Sequence, residues 1–432
     1  MQGADSVEVR KSDSLVAADW PPYHWLEHPE IQPIVDDFWE AKYDEDDLAI
    51  YNRFLEILSL SKSGLNGDEI GRKLHINNVR KYIKGSKKSF LTHLRAEHDR
   101  LGSPSPGYKW LPLRLKPRGT PDKDWIQVPT EIRNFGDILS VLSQLEPSEE
   151  SYQVMGRFGC ASRELLQQER TNHFGFVLGT LLGDAGKGLR SERRFPSMKV
   201  SLVLSKAKKN SARFGDFASF CVNSALGLRM HRIKDAPASN KRYSKSDCFQ
   251  WIAPVSPLFA WIFQVMMGLK RGEKTTYDQL RADWILASPV CFRIHFLQGL
   301  AESDGWVNPG RDVVIIVASP NEQLLDKLLT DVGVPHSFEK QMVNIVLLKT
   351  AEGLKLPIFN ESAHTNNYDR LILMSRAKRF PERSPLPRWF LDQIEDILLK
   401  CVNYDQACLE IARRTGFKIT NLTVKKYAKA GT

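Results

Sequence analysis

Two apolar, glycine-containing segments that end in an aspartate constrain this fold more than any other feature of the sequence. The first reads "FVLGTLLGDAG" at 176–186, and the second reads "FLQGLAESDGW" at 296–306. Each segment predicts a helix that stops at an acidic residue beside a glycine, Asp184 in the first and Asp304 in the second. Because one chain repeats the same unusual helix end, we expect two related halves.

Small residues recur at every fourth position of both predicted helices. The first helix carries Gly175, Gly179 and Gly183, and the second carries Gly299 and Ser303. A glycine inside a helix costs about 1 kcal/mol relative to alanine, so such a series requires a reason. Close approach of two helix backbones is such a reason, because only small residues leave room for it. The spacing therefore predicts a helix–helix interface through Gly175, Gly179 and Gly299.

Side-by-side packing of these helices would bring Asp184 and Asp304 together. Two carboxylates at helix C-termini face unfavourable helix dipoles and repel each other. A divalent cation relieves both effects, and oxygen ligands of this type favour Mg²⁺ or Mn²⁺. We therefore predict catalytic roles for both aspartates and a metal site formed by Asp184, Asp304, Gly183 and Ser303. One such helix alone is more often an ordinary helix end, so the prediction depends on the repetition.

The two segments resemble the signature motif of the LAGLIDADG (DOD-type) homing endonucleases. The nonapeptide "LQGLAESDG" at 297–305 matches it at Leu297, Gly299, Leu300, Asp304 and Gly305. The stretch "LGTLLGDAG" at 178–186 resembles a common first-copy variant, but Ala185 directly follows its aspartate. The resemblance covers roughly 170–380.

This resemblance implies an α+β fold with two pseudo-symmetric α-β-β-α-β-β-α half-domains, here flanked by small helical domains. In that family the sheets saddle the major groove of DNA, and the two aspartates bind metal ions at the scissile phosphates. It also implies a monomer with internal pseudo-two-fold symmetry. A basic residue near each site is typical of the family. Arg376 and Lys378 are candidates for one half, although a solvated helix face explains each of them better. The chain lacks a nucleophilic first residue and a C-terminal His-Asn, so splicing as an intein is not implied.

The pattern of apolar residues between these motifs predicts the same order of elements in each half. Strands are expected at 197–205, 246–253, 312–319 and 343–350. Helices are expected at 211–228, 321–333 and 367–379, with a further apolar segment at 256–268. The sheet of the first half would present the DNA-binding lysines Lys199, Lys206, Lys208 and Lys209. The second half is poorer in basic residues.

Segments near the two ends of the chain resemble each other. The stretches 64–85 and 405–431 both contain Glu-Ile, a basic pair, a short break, and then a branched residue, two basic residues and a tyrosine. This pattern predicts two helix-turn-helix units, whose second helices would enter the major groove. The predicted DNA-binding residues are Asn77, Asn78, Arg80, Lys81, Thr420, Asn421, Thr423, Lys425 and Lys426. A plain helical hairpin with a solvated basic face is the alternative for either segment.

Composition divides the chain into five regions. We expect an N-terminal helical domain at 1–101 and a Pro/Gly-rich linker or arm at 102–148. The two LAGLIDADG halves would occupy 149–290 and 291–380. A proline-marked boundary then precedes a helical segment at 389–432.

Charge and cysteine content narrow the class of protein. The 432 residues carry a formal net charge of +10, which favours a polyanionic partner, nucleic acid first and an anionic membrane second. The six cysteines form no C-x-x-C pair, which argues against a zinc ribbon and fits reduced thiols. A signal-peptide pattern and an apolar run of about 18 residues are both missing, so we expect a soluble, cytoplasmic protein without a membrane partner.

These observations favour a sequence-specific, divalent-metal-dependent endonuclease that hydrolyses double-stranded DNA. A non-catalytic DNA-binding transcription regulator on the same scaffold is one alternative. An RNA intron maturase is another, and the sequence leaves open whether the gene lies in an intron. The paired aspartates favour the enzyme, because a scaffold without catalysis has no need of two mutually repelling carboxylates.

Overall fold

The computed structural model describes residues 30–39, 45–77, 79–83, 100–115, 124–183, 185–192, 195–206, 211–236, 248–270, 272–273, 277–341, 344–355, 366–380 and 385–430. Within these segments, no helix is both long enough and apolar enough to cross a bilayer.

Helices and strands alternate through most of the chain. The helices are α1 Gln32–Trp39, α2 Glu45–Lys62, α3 Gly67–Leu74, α4 Arg80–Ile83, α5 Phe135–Ser143, α6 Glu149–Val154, α7 Arg163–Leu182, α8 Ser211–Leu226, α9 Pro257–Trp261, α10 Val290–Asp304, α11 Glu322–Asp331, α12 Thr350–Lys355, α13 Asn366–Arg376, α14 Arg388–Leu398, α15 Tyr404–Thr415 and α16 Asn421–Ala430. The strands are β1 Tyr108–Pro112, β2 Trp125–Pro129, β3 Ala185–Glu192, β4 Phe195–Ser205, β5 His231–Ala236, β6 Cys248–Ile252, β7 Gly305–Asn308, β8 Val313–Val317, β9 His336–Lys340, β10 Asn344–Lys349, β11 Lys378–Arg379 and β12 Phe417–Lys418.

Two four-stranded antiparallel sheets form the mixed α/β centre of the molecule. Their strand orders are β3-β4-β6-β5 and β7-β8-β10-β9. A motif helix leads directly into each sheet, α7 into β3 and α10 into β7, and a second helix separates each pair of hairpins. The predicted strands and helices are therefore present, together with the four strands β3, β5, β7 and β9, which the apolar pattern did not predict.

The first sheet has one face against the helices and one polar face. Met198, Val200 and Leu202 of β4 lie in the main hydrophobic core, each at most 1% exposed. The intervening Lys199 and Ser201 are half-buried. Because successive side chains of a strand point to opposite faces, these polar residues occupy the face away from the helices.

The centre of the second sheet is apolar on both faces. Val314 and Ile316 of β8 belong to the main core, whereas Val313 and Ile315 form a separate cluster with Ile345 of β10. All five residues of β8 are buried. Exposed polar residues on the outer face of this sheet lie at its rim, at Ser337 of β9 and Lys349 of β10.

Residues 102–148 are not a simple linker, so this expectation was wrong for their described part. β1 and β2 pair in register, and Leu111, Ile126 and Val128 lie in the main core at no more than 4% exposure. Phe135 and Ile138 of α5 join the same core. The burial of these regularly spaced apolar residues outweighs the Pro/Gly-rich composition that suggested an arm.

The N-terminal region divides between two cores, contrary to the expected single helical domain. Phe38 of α1 is packed in the main core, where the indole of the neighbouring Trp39 donates to the Thr130 carbonyl at 3.0 Å. In contrast, α2 to α4 enclose a small cluster of their own, with Phe54, Ile57 and Ile70 almost fully buried. Association with two different apolar clusters separates α1 from the helices that follow it.

The C-terminal helices α14 to α16 enclose a third core. Phe390, Ile394, Ile411 and Val424 are all fully buried there. The short strand β12, in the turn between α15 and α16, pairs in parallel with β11. This three-helix unit, 385–430, is referred to below as the C-terminal unit.

Candidate active site

The motif helices α7 and α10 pack through their glycines. A methyl group added at Gly179 would lie 2.6 Å from the Leu300 amide nitrogen, and one at Gly299 would lie 2.8 Å from the Thr180 amide nitrogen. At Gly175 the added carbon would meet the Phe292 carbonyl oxygen at 2.8 Å. All three partners are backbone atoms, so side chains here would force the helices apart. The structure thus brings Gly179 and Gly299 together, whereas Gly175 faces Phe292.

The same packing brings the C-terminal ends of the two helices together. A methyl group at Gly183, the residue after α7, would lie 3.1 Å from the carboxyl carbon of Asp304, the last residue of α10. Asp304 is half-buried. Its predicted partner, Asp184, lies outside the described residues but is bonded to Gly183.

Ser303 is used at the helix interface. Its hydroxyl donates to the Gly299 carbonyl at 2.9 Å, and it lies 3.2 Å from the Leu300 carbonyl and 3.4 Å from that of Gly179. These contacts hold the serine against α7. The metal-binding role predicted for Ser303 and Gly183 remains a prediction.

The donor set is compatible with magnesium chemistry. Within the described part of the chain, no group of three or more His, Cys, Asp or Glu side chains could hold a metal ion. Magnesium does not need such a cage, because it keeps several waters and is commonly held by one or two carboxylates together with substrate phosphates. A carboxylate pair at the ends of α7 and α10 would satisfy this requirement.

Buried polar groups anchor α7 behind this site. The Arg170 guanidinium donates to the Ser224 carbonyl at 2.9 Å and to the Leu142 carbonyl at 2.8 Å. Burial lowers the pKa of Arg170. The His173 ring nitrogen lies 2.8 Å from the Ser224 hydroxyl, and burial lowers the pKa of His173 to about 3, so the ring is neutral. Both residues tie α7 to the helices around it.

Two of the four lysines predicted on the first sheet can be placed. Lys199 lies on β4 opposite Gly188 of β3 and is half-buried. The Lys206 ammonium lies 5.3 Å from the centre of the Phe249 ring. Lys208 and Lys209 lie outside the described residues.

The described part of the N-terminal segment contains α3 and the short helix α4, and the helix-turn-helix assignment stays a prediction. Asn66 caps α3 in a reciprocal pair of hydrogen bonds with Glu69, and His75 ends the helix at φ 51°. Asn77 and Arg80 are exposed. Lys81 lies in α4, and Asn78 lies outside the described residues. Their contact with DNA stays a prediction.

The C-terminal candidates have different surroundings. The backbone N–H of Asn421 donates to the Gly310 carbonyl at 2.8 Å, and the side-chain amide of Asn421 donates to Asp405 at 3.1 Å. The Thr420 and Thr423 hydroxyls lie 3.1 Å apart at the start of α16. Lys425 and Lys426 are exposed. The two lysines are therefore the most accessible of the DNA-binding residues predicted in this segment.

Further residues near the site were not identified from the sequence. Trp306 is 40% exposed two positions after Asp304, and it lines a groove that also includes Arg370. A tryptophan in a short strand does not indicate a functional role from the sequence alone, because it is equally suited to a buried position in the hydrophobic core. The basic candidates Arg376 and Lys378 are both exposed, and Lys378 pairs with Phe417 through β11 and β12.

Comparison with solved structures finds LAGLIDADG proteins. I-DmoI in complex with DNA and Mn is 13% identical, with 45% of this chain and 99% of that chain covered at a TM-score of 0.31. I-WcaI bound to its DNA recognition sequence is 12% identical, with 49% and 95% covered at 0.31. The N-terminal LAGLIDADG domain of WhiA is 14% identical, with 50% and 94% covered at 0.27.

No protein-family model and no curated protein sequence matches the chain. The structural matches are too distant to carry a functional argument, so any function must be inferred from the residues of this chain. They do confirm the resemblance first indicated by the two helix-terminal motifs: this chain resembles the LAGLIDADG proteins.

Proposed function

We propose that the protein is a divalent-metal-dependent endonuclease that cleaves double-stranded DNA at a specific sequence. The observation that carries this proposal is the glycine-mediated packing of α7 on α10, which places the Asp304 carboxyl carbon beside Gly183. Asp184 follows directly in the chain and would complete a carboxylate pair. In this proposal the two halves are related by a pseudo-two-fold axis between the two helices, and the protein acts as a monomer.

Each part of the site would have a distinct role. Asp184 and Asp304 would hold the cation, as the two carboxylates that follow or end the motif helices. When bound, Mg²⁺ or Mn²⁺ would supply Lewis acidity, which lowers the pKa of a water molecule and neutralises charge on the phosphate. The helix interface would fix the separation of the two carboxylates, because backbone contacts at Gly179 and Gly299 leave no room for sliding.

The remaining surface is suited to a DNA backbone. The polar outer face of the first sheet, with Lys199 and Ser201, would lie along the duplex. Exposed Arg80, Lys425 and Lys426 of the flanking units would add further cationic contacts. These contributions agree with the net charge of +10, since phosphate contacts dominate the affinity of DNA-binding proteins.

A cleavage and binding selection on one randomised duplex library tests the proposal. With Mg²⁺ or Mn²⁺ we expect cuts at one recurring sequence, and with Ca²⁺ we expect retention of the same sequence without cuts, as the poor Lewis acid replaces the good one. Chelation should abolish cleavage. Retention of duplexes without cleavage in any metal would contradict the nuclease and identify a DNA-binding regulator instead. Preferential retention of a structured intron RNA would favour the maturase.

A further inference from the structure

The C-terminal unit is docked on the second sheet through a buried ion pair. The Lys418 ammonium, in the turn between α15 and α16, donates to Asp312 at 2.9 Å and to the Met374 carbonyl at 2.9 Å. Asp312 lies in the turn between β7 and β8 and also accepts from the Thr350 hydroxyl at 2.5 Å. Lys418 is only 9% exposed. Removal of either partner while the unit stays docked would leave the other charge buried without compensation, which is strongly unfavourable.

Two further contacts hold the same turn. The backbone N–H of Asn421 donates to the Gly310 carbonyl, and a methyl group added at Gly310 would lie 2.8 Å from the Asn421 Cβ. On the other side, the Lys378 amide donates to the Gly416 carbonyl at 2.9 Å. The short region from 416 to 421 is therefore fixed against β7–β8 and β11 at once. A flexibly tethered module would show none of these contacts.

In the described strands, the centre of the second sheet offers no polar side chain on the face that the first sheet would turn to DNA. Val313, Ile315 and Ile345 on that face are each no more than 5% exposed. Arg311, at the edge of this sheet, forms an ion pair with Glu339. Phosphate contacts on this side of the site would therefore come from the rim of this face, where Lys349 is exposed, and from other elements.

A polar groove between the second sheet and the C-terminal unit supplies such elements. It has a volume of about 680 Å³ and begins at Trp306, two residues beyond Asp304. Its basic side chains are Arg370, Lys400, Arg413 and Arg414, and Asp405 and Glu410 also line it. The last three of these cations form ion pairs with Asp396 or Glu410, so a phosphate would have to compete with those carboxylates. Arg370 and Arg413 are exposed, and Lys425 of α16 lies 5.5 Å from the ring of Tyr404, beside the groove. The cationic groups thus continue from the active-site edge towards α16.

We propose that the second sheet and the C-terminal unit bind duplex DNA as one rigid surface, with the Lys418–Asp312 pair as its lock. The groove would receive the phosphate backbone that flanks the cleaved bond, and exposed Lys425 and Lys426 would contact the next segment. Lys418 is then a positioning residue that sets the distance between the cleavage site and the outer segment of the target. The inference rests on the proposed function for its DNA partner.

Spacing variants of the target test the lock. The probe is the duplex that the wild-type chain selects from a randomised library in Ca²⁺, with five base pairs inserted between the cleavage position and the outer segment. Five base pairs rotate that segment by about half a helical turn. A rigid surface loses simultaneous contact with both segments, so wild-type affinity should fall by about 100-fold. Lys418→Met, which keeps the length and removes the charge, should lose less than about threefold. Equal losses in both proteins would overturn the proposal.

A second variant and a control separate the lock from general stability. Gly310→Ala leaves the ion pair chemically intact but forces Asn421 away, and it should tolerate the insertion as Lys418→Met does. Gly156→Ala, where an added carbon meets no atom within 4 Å, should behave like the wild type. Loss of the insertion penalty in Gly156→Ala, or its retention in Gly310→Ala, would contradict the assignment.

Amide exchange without DNA distinguishes failure of the lock from failure of the proposed function. In the wild type, the Asn421 amide should be protected by its bond to Gly310, and both lock variants should exchange it at least about tenfold faster. Equal exchange in the wild type and both variants would overturn the lock even if the protein binds DNA. If protection behaves as expected but no duplex is selected, the DNA surface is overturned together with the proposed function, whereas the docking stands.

Discussion

Substitution of Gly179 by alanine probes the helix interface at the point where it is tightest. The added methyl group would lie 2.6 Å from the Leu300 amide nitrogen and 2.9 Å from the Gly299 carbonyl carbon. Since neither atom belongs to a flexible side chain, α7 and α10 must separate by roughly 1 Å to restore ordinary contact. Overpacking of this kind costs about 1–3 kcal/mol, and the better helix propensity of alanine offsets about 1 kcal/mol.

The expected result is a modest loss of stability and a large loss of activity. We predict that the free energy of unfolding, measured by chemical denaturation, falls by up to about 2 kcal/mol. Single-turnover cleavage should slow by about 100-fold, because a shift of roughly 1 Å separates groups that must act on one phosphate. Gly156→Ala, which adds the same methyl group in open space, should change neither quantity. A stably folded Gly179→Ala protein that cleaves at the wild-type rate would refute the reasoning.

Three further predictions concern pH, salt and capping. His173 has a depressed pKa of about 3, so the free energy of unfolding should fall as the pH drops below about 6.5, by up to about 1.4 kcal/mol per pH unit. His173→Asn, which can keep the bond to Ser224, should remove this pH dependence of stability, as measured by thermal melts at several pH values. Lys199→Ala should reduce the slope of log Kd against log salt by about 1. Asn66→Ala, which removes the cap shared with Glu69, should destabilise α2 to α4 by about 1 kcal/mol, seen as faster amide exchange there.

Each of these three has an outcome that would contradict it. An unchanged pH slope in His173→Asn would show that other groups cause the loss of stability. An unchanged salt slope in Lys199→Ala would remove the first sheet from the phosphate contacts. Unaltered exchange in Asn66→Ala would mean that tertiary packing, rather than the cap, holds α3 in place.

The centre of the fold could be predicted from the sequence because its signals are local and repeated. Glycines at every fourth position in 175–183, followed by an acidic residue, give both the helix and its partner surface. The strand at 197–205 was predicted from its apolar residues, and its alternation places Lys199 and Ser201 on the outer face. In β8, by contrast, five consecutive apolar residues are typical of a strand buried on both faces. This pattern does not reveal which elements cover the two faces.

The docking of the C-terminal unit could not be predicted, since it depends on contacts between distant positions. Lys418 and Asp312 are 106 positions apart, and a lysine in a basic segment is usually solvated. Its neighbours Thr420 and Asn421 had been assigned to DNA because helix-turn-helix units use the first turn of the second helix in this way. The structure instead uses Asn421 to contact Gly310. Tertiary packing thus determines which side chains of a local motif remain available.

The measurement that tests the account most directly is single-turnover cleavage of the selected duplex by Asp304→Asn in Mg²⁺, alongside its affinity for the same duplex in Ca²⁺. The substitution keeps the shape of the side chain at the end of α10 and removes its charge. We predict that the cleavage rate falls by more than about 100-fold, while the affinity for the duplex changes by less than about threefold. A loss of about 100-fold is the upper limit for mutations of residues that only support a metal ligand, so a larger loss indicates a ligand itself. Cleavage at the wild-type rate would contradict the central claim that this carboxylate, beside Gly183, holds the catalytic metal.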